Sequence, residues 1–318
     1  MSSDQSGTAV TGLHGQVGIV TGGGKGLGRA FVLDLARRGA AVVVNNRNRT
    51  VGDDGLGPAD HVVAEIRAAG GRAVAEYSDV TDPGAVDAMI SAALDTFGRL
   101  DFVVANAAIS NPEMFHKTTP ERFDAVTGIN IGGTAHLVAA ASASMRQAGG
   151  GRIVLIASTA GLHGEPTASA YSASKGALIA LGRAIAVEGE RRNVLTNLVL
   201  PYATTQMTDT GMHPDHRDTM SAERVAPVVS ALVDPTSTLN GRILVCGGGG
   251  LRLATAVEFG TVPLPGPDLS PDQLAGLLEQ SRAAGWQDFP EAQAAFLSLA
   301  EDLRGLVPAP ENDPVGAP

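Results

Sequence analysis

Short apolar bursts alternate with longer amphipathic stretches from residue 16 to about residue 258. The first burst, QVGIVTG (16–22), runs into a glycine-rich turn and then GRAFVLDLARRGA (28–40), whose apolar positions recur at helical spacing. AAVVVN (40–45) follows as a second burst. Strands that are apolar throughout, without alternation, belong to a sheet covered on both faces. Further strands are predicted at 71–77, 100–106, 151–158, 194–201 and 241–249, with helices at 83–97, 119–148 and 170–192. This alternation predicts an α/β fold: a single Rossmann-type, doubly wound parallel sheet flanked by helices.

The two ends read differently. Residues 1–15 are polar and rich in Gly, Ser and Thr, and are expected to form a flexible arm before a main domain over 16–258. VPLPGPDL (262–269) is a Pro/Gly linker inside a 259–318 extension, which is expected to be helical with a disordered end. In SPDQLAGLLEQS, Ser270 is a predicted N-cap, Pro271 the first helical residue and Gln273 the partner in a capping box. PEAQAAFLSLAEDL sets Phe296, Leu299 and Leu303 on one face, suited to packing on its own domain or on a partner subunit.

Composition narrows the function classes. Apolar residues make up 44 % of the 318-residue chain and aromatics only 4 %, so the core is aliphatic. A net charge of −10 argues against nucleic-acid or anionic-membrane partners, which need clustered Lys and Arg. The lone Cys246 provides no disulfide framework and suits a reducing compartment. The opening residues lack a basic stretch followed by an apolar core, and no apolar run reaches membrane-span length. A cytoplasmic location is expected.

TGGGKGLG (21–28) follows the first strand and opens the first helix. In that context glycines let the backbone approach a pyrophosphate, and the helix start turns free N–H groups toward its charge. Gly22, Gly24, Lys25, Gly26, Leu27 and Gly28 are therefore candidate cofactor contacts. NAD sites place an acid at the end of the second strand, whereas an Arg there suits a 2′-phosphate. VVVNNRNR (42–49) has Asn46 at that position and Arg47 beside it, with Arg49 and Lys25 nearby. Charge favours NADP(H) and leaves NAD(H) open.

SAYSASKGAL (169–178) holds a tyrosine with a lysine four residues on. One helical turn sets Lys175 on the same face as Tyr171. A nearby ammonium favours the phenolate and would lower a pKa that is near 10 in a free tyrosine. Such a pair can move a proton to or from a carbonyl oxygen while a nicotinamide moves the hydride. A hydroxyl such as that of Ser158 can hold the oxygen.

Together with ANAA (105–108), DV (79–80), IN (129–130) and IASTAG (156–161), the glycine loop and YSASK (171–175) make the chain resemble the short-chain dehydrogenase/reductases from about residue 15 to 255. The resemblance implies that Tyr171 is the general acid/base. Lys175 would tune it and hold the nicotinamide ribose, Ser158 would position the substrate oxygen, and Asn130 would anchor a proton-relay water. It further implies cofactor contacts at Asp79, Val80, Asn106, Ala107, Ala108, Pro201 and Thr204. Assembly as a homodimer or homotetramer is also implied, through the long central helices and C-terminal strands. Two places depart from the family pattern: Ala105-Asn106-Ala107-Ala108 stands for NNAG, and PYATTQMT (201–208) lacks the glycine that usually follows the proline. Both predict a reshaped pocket.

GAAVVVNN (39–46), ADHVVAEIRAAGGRAVA (59–75), QMTDTGMHPD (206–215), ERVAPVVSALV (223–233) and NGRILVCGGGGLRLA (240–254) are similar to the (R)-3-hydroxyacyl-CoA dehydrogenase domains of multifunctional β-oxidation enzymes and their bacterial relatives. A 3-hydroxyacyl or 3-oxoacyl thioester is thus the expected substrate, although Asn46 departs from the NAD-type acid common there and suggests a reductive role. A ketoreductase acting on a steroid-like, polyketide or other specialised ketone is an alternative. A catalytically inert cofactor-binding regulatory protein is another, against which the complete Asn130, Ser158, Tyr171 and Lys175 set speaks. Residues 202–222 are expected to form the substrate lid, with Met207, Met212 and Met220 lining an apolar pocket and His163 bordering it. His213 and His216 read as surface histidines, and no metal site is expected.

Overall fold

The computed structural model describes residues 12–48, 52–206, 214–266 and 268–306. Seven strands pair in parallel in the spatial order 3-2-1-4-5-6-7: β1 (Val17–Thr21), β2 (Ala41–Asn45), β3 (Arg72–Glu76), β4 (Phe102–Ala105), β5 (Gly151–Ile156), β6 (Val194–Pro201) and β7 (Ile243–Gly247). The order reverses between β1 and β4, and the crevice beyond the carboxyl ends of these two strands is where ligands bind in open α/β sheets. β8 (Gly250–Ala254) adds one antiparallel edge strand.

Successive side chains on each strand enter opposite cores. Val42 and Val44 of β2, with Phe102 and Val104 of β4, pack on one face with Phe31 and Leu35 of α1 (Gly26–Arg37), Val62 and Ile66 of α2 (Pro58–Ala68), and Val229 and Leu232. Ala41, Val43, Val103, Ile153 and Leu155 pack on the other face with Val86 and Met89 of α3 (Pro83–Phe97), and with Leu137, Met145 and Leu178. This two-sided burial explains the continuous apolar bursts.

α3 starts and stops as its sequence dictates. Asp82 Oδ1 accepts from the Gly84 N–H at 2.9 Å, Pro83 fills the first turn, and Gly98 closes the helix at φ +80°. The helix expected over 119–148 is divided into α4 (Pro120–Thr127), a wide π-turn over Gly128–Gly133, and α5 (Thr134–Ala148). A side chain at Gly133 would collide with Val80, so this segment can lie against the β3–α3 loop only as glycine. α6 (Ala160–His163) precedes the long α7 (Ser169–Glu190), and α8 (Pro214–Arg217) and α9 (Ala226–Val233) follow β6.

Two boundaries differ from expectation. The arm expected over 1–15 does not reach Leu13, which is fully buried and donates its N–H to Arg38 O at 2.7 Å; residues 1–11 lie outside the described residues. The strand expected to run to 249 stops at Gly247, because Gly248 and Gly249, at φ +59° and +86°, turn the chain back into β8.

The chain divides into two compact units, Met1–Ala254 and Thr255–Pro318. In the second, α10 (Pro271–Ala283) has the capping box read from its sequence: Gln273 N donates to Ser270 Oγ at 3.2 Å, and Ser270 N to Gln273 Oε1 at 2.9 Å. α11 (Ala292–Leu306) follows, and a short ladder, unforeseen in the sequence, joins β9 (Glu258–Phe259) to β10 (Trp286–Gln287). Phe296, Leu299 and Leu303 are all exposed.

Candidate active site

β5 ends at Ile156, and the chain leaves the sheet through Ser158 into the first turns of α6 and α7. Lys175 lies within α7, one turn after Tyr171, and is only 2 % exposed. Its Nζ donates to Ile156 O at 2.7 Å and stands 5.6 Å from the centre of the Tyr171 ring. The Ser158 hydroxyl hydrogen-bonds the Tyr171 phenol, and Ser158 Oγ also accepts from Ala160 N at 3.2 Å. Burial pushes the Tyr171 pKa up, with the Ser158 hydrogen bond opposing, and pushes Lys175 down to about 8. For Tyr171 burial outweighs the lowering expected of a protonated Lys175. Both groups are withdrawn from water, which favours the neutral form of each.

Asn130 lies in the π-turn and is fully buried. Its Oδ1 accepts from Ile109 N at 2.9 Å, while Nδ2 donates to Ile109 O at 3.0 Å and to Ser174 Oγ at 2.9 Å. Ser174 Oγ in turn donates to Tyr171 O at 2.7 Å. The side chain thus ties the loop after β4 to the first turn of α7.

These groups open on a cleft of about 510 Å³ at the carboxyl ends of the strands. Its walls include Gly22, Lys25, Gly26, Leu27, Gly28, Asn106, Ala107, Ala108, Ser158, Tyr171, Lys175 and Pro201. Gly22 and Gly26 adopt φ +65° and +52°, and a Cβ on Gly28 would overlap the Gly22 carbonyl. α1 begins beside the cleft with neither a side-chain cap nor an acid in its first turn. A helix start without a side-chain cap, close-approach glycines and the Lys25 cation suit a pyrophosphate.

Other candidates stand outside the cleft walls. Gly24 abuts Asn46 and Pro58, and Val80 is buried against Gly133. Thr204 Oγ1 donates to Arg217 O at 3.1 Å. Arg47 Nη1 is 2.8 Å from Asp79 Oδ2, a cross-strand partner the sequence did not reveal. His163 is exposed and away from the cleft. Met220 packs at the Gly248 turn, not in the pocket where it was expected, because its loop bridges back to Thr204. Arg49, Met207, Met212 and His213 lie outside the described residues, as does 207–213 of the expected lid. His216 of α8 is exposed, and no metal-holding group of His, Cys, Asp or Glu occurs among the described residues.

Sequence reasoning missed Thr21, whose buried Oγ1 accepts from both Asn106 N (3.0 Å) and Ala107 N (3.1 Å) and so fixes the altered ANAA segment against β1. It also missed Ser110, Thr159 and Glu165 as cleft residues, while Tyr202, Thr205 and Gln206 of the expected lid do line the cleft. The first three sit on loops and carry no spacing signal.

The family model for short chain dehydrogenase matches residues 16–219. The chain belongs to the short-chain dehydrogenase/reductase family. It is 41 % identical over 241 residues to a short-chain type dehydrogenase/reductase of Mycobacterium tuberculosis, covering 75 % of this chain and 84 % of the relative. It is 38 % identical over 305 residues to the mouse peroxisomal multifunctional enzyme type 2, covering 92 % of this chain but only 41 % of that enzyme's length. A solved short chain dehydrogenase from Mycobacterium avium superposes with TM-score 0.75 at 34 % identity, over 87 % of this chain and 98 % of that one. Two further solved neighbours, at TM-score 0.67 and 29 % and 28 % identity, carry NADP and NADH respectively. This short-chain dehydrogenase/reductase is thus an oxidoreductase of an NAD(P)-binding family. None of its described helices is long and apolar enough to cross a membrane.

Proposed function

We propose that the chain reduces a 3-oxoacyl thioester, or oxidises the corresponding 3-hydroxyacyl thioester, with NADP(H) preferred over NAD(H). One observation carries this reading: Ser158, Tyr171 and Lys175 line the same cleft as Gly26, Leu27 and Gly28 at the uncapped start of α1. The glycine loop, Lys25 and the first turn of α1 would hold the pyrophosphate, and a bound nicotinamide supplies or accepts the hydride.

The substrate carbonyl is held by Ser158 and protonated by Tyr171. With its pKa raised by burial, Tyr171 keeps its proton at neutral pH, which is the form that reduces a ketone. Lys175, when protonated, stabilises the phenolate left behind after that transfer. Asn130, through Ser174, keeps the start of α7 in register with the loop after β4.

Support for NADP(H) comes from Arg47 beside Asn46 at the end of β2, where an acid would select NAD. Support for the thioester comes from the likeness to the multifunctional enzymes across 92 % of this chain. A panel of acetoacetyl-CoA and bulky cyclic ketones, assayed with NADPH and with NADH, tests the substrate class. The expected result is a kcat/KM for the thioester higher by roughly tenfold or more, about 1.4 kcal/mol of discrimination. A cyclic ketone turning over faster contradicts it and moves a specialised ketoreductase to the front.

A further inference from the structure

Arg47 does not project alone from the end of β2. Its Nη1 lies 2.8 Å from Asp79 Oδ2 on the loop after β3, and the other carboxylate oxygen is already engaged. Thr81 N and Thr81 Oγ1 donate to Asp79 Oδ1 at 3.0 and 2.8 Å. Against the opposing effect of burial, Arg47 and these bonds hold the Asp79 carboxyl below the usual carboxylate range, so it is anionic at neutral pH. Arg47 is 58 % exposed at its side chain and Asp79 34 %. An ion pair this wet is weak and opens easily.

We infer that Asp79 is a specificity-determining residue that restrains the preference for NADP(H) by neutralising Arg47. A fixed carboxylate against the guanidinium competes with a 2′-phosphate for the same donors and repels its charge. A ribose 2′-hydroxyl meets no such repulsion, and the carboxylate can accept its hydrogen bond. The pair therefore makes the chain tolerant of both nucleotides, with Arg47 giving NADP(H) a modest lead. This inference rests on the proposal that Arg47 faces the 2′-position.

The test is a fluorescence titration of NADPH and NADH on wild type, Asp79→Asn, Arg47→Ala and the double variant. Competition by adenosine 2′,5′-bisphosphate and AMP provides a second readout, free of the nicotinamide. Asp79→Asn keeps the side-chain size and is expected to raise the NADPH-over-NADH preference roughly tenfold, with the bisphosphate gaining over AMP in step. In the Arg47→Ala background the same change should raise the ratio by clearly less than in wild type, because competition for the guanidinium is gone and only the carboxylate's own repulsion of the 2′-phosphate is relieved. If Arg47→Ala lowers the ratio while Asp79→Asn leaves it unchanged or lowers it, the cofactor reading stands and the role of Asp79 is overturned. If the ratio is insensitive to Arg47→Ala with and without Asp79, Arg47 does not meet the 2′-phosphate, and both fall together.

Discussion

Lys175 shows how far a site residue departs from what stability alone would select. It is a cation 2 % exposed, with a backbone carbonyl as its hydrogen-bond acceptor, and burial moves its pKa from 10.5 to about 8. The unfolded chain keeps that proton up to pH 10.5, so between about 8 and 10.5 it binds more protons than the folded protein. Stability from this group must then rise with pH across that window. The shift corresponds to on the order of 3 kcal/mol. Tyr171 acts in the opposite sense only above its unfolded pKa near 10, where the unfolded chain loses its proton first. Urea denaturation at several pH values is therefore expected to find Lys175→Met more favourable relative to wild type at pH 7 than at pH 10. Parallel stability curves would contradict the buried, strained cation. The spacing of Ser158, Tyr171 and Lys175 was legible because local sequence and one helical turn determine it. Thr21, Ser174 and the Asp79 partner of Arg47 were not, since each meets its partner through the fold and not along the chain.

At the scale of elements, legibility followed local chemistry. α3 was expected over 83–97 and occupies Pro83–Phe97, because Asp-Pro at one end and Gly98 at the other mark both boundaries. The π-turn that places Asn130 was invisible, since inserting one residue into a helix scarcely alters its apolar period. β8 escaped for another reason: GLRLA is exposed along most of its length, so no core imposes an apolar pattern on it. The β1–α1 turn was readable from glycine spacing, and the structure supplies the steric cause at Gly28, whose Cβ would overlap the Gly22 carbonyl. Gly28→Ala is accordingly expected to cost about 1–3 kcal/mol of stability through overpacking. Displacing the loop should also weaken NADPH binding by roughly tenfold or more. Calorimetry and a nucleotide titration on the same sample check both; unchanged affinity would remove the loop from the cofactor site.

On the scale of the whole molecule, one sheet accounts for most of what the chain does. Its two aliphatic cores hold β1, β4 and β5 rigidly enough that the loops at their carboxyl ends meet in a single cleft. The parallel, doubly wound sheet and the burial of both faces were readable from apolar bursts separated by helices, whereas the spatial order of the strands came from the fold. The second unit, Thr255–Pro318, was readable only as helices with capping signals, since its β9–β10 ladder is two residues long. Within this architecture the central claim is that Tyr171 transfers the proton to a ketone while the nicotinamide transfers the hydride. The most direct measurement is NADPH oxidation with acetoacetyl-CoA by wild type and Tyr171→Phe, with NADPH affinity measured on both. Loss of roughly 10²–10⁴-fold in kcat with affinity within a few-fold of wild type is the predicted result. Turnover by the phenylalanine variant within tenfold of wild type would contradict it.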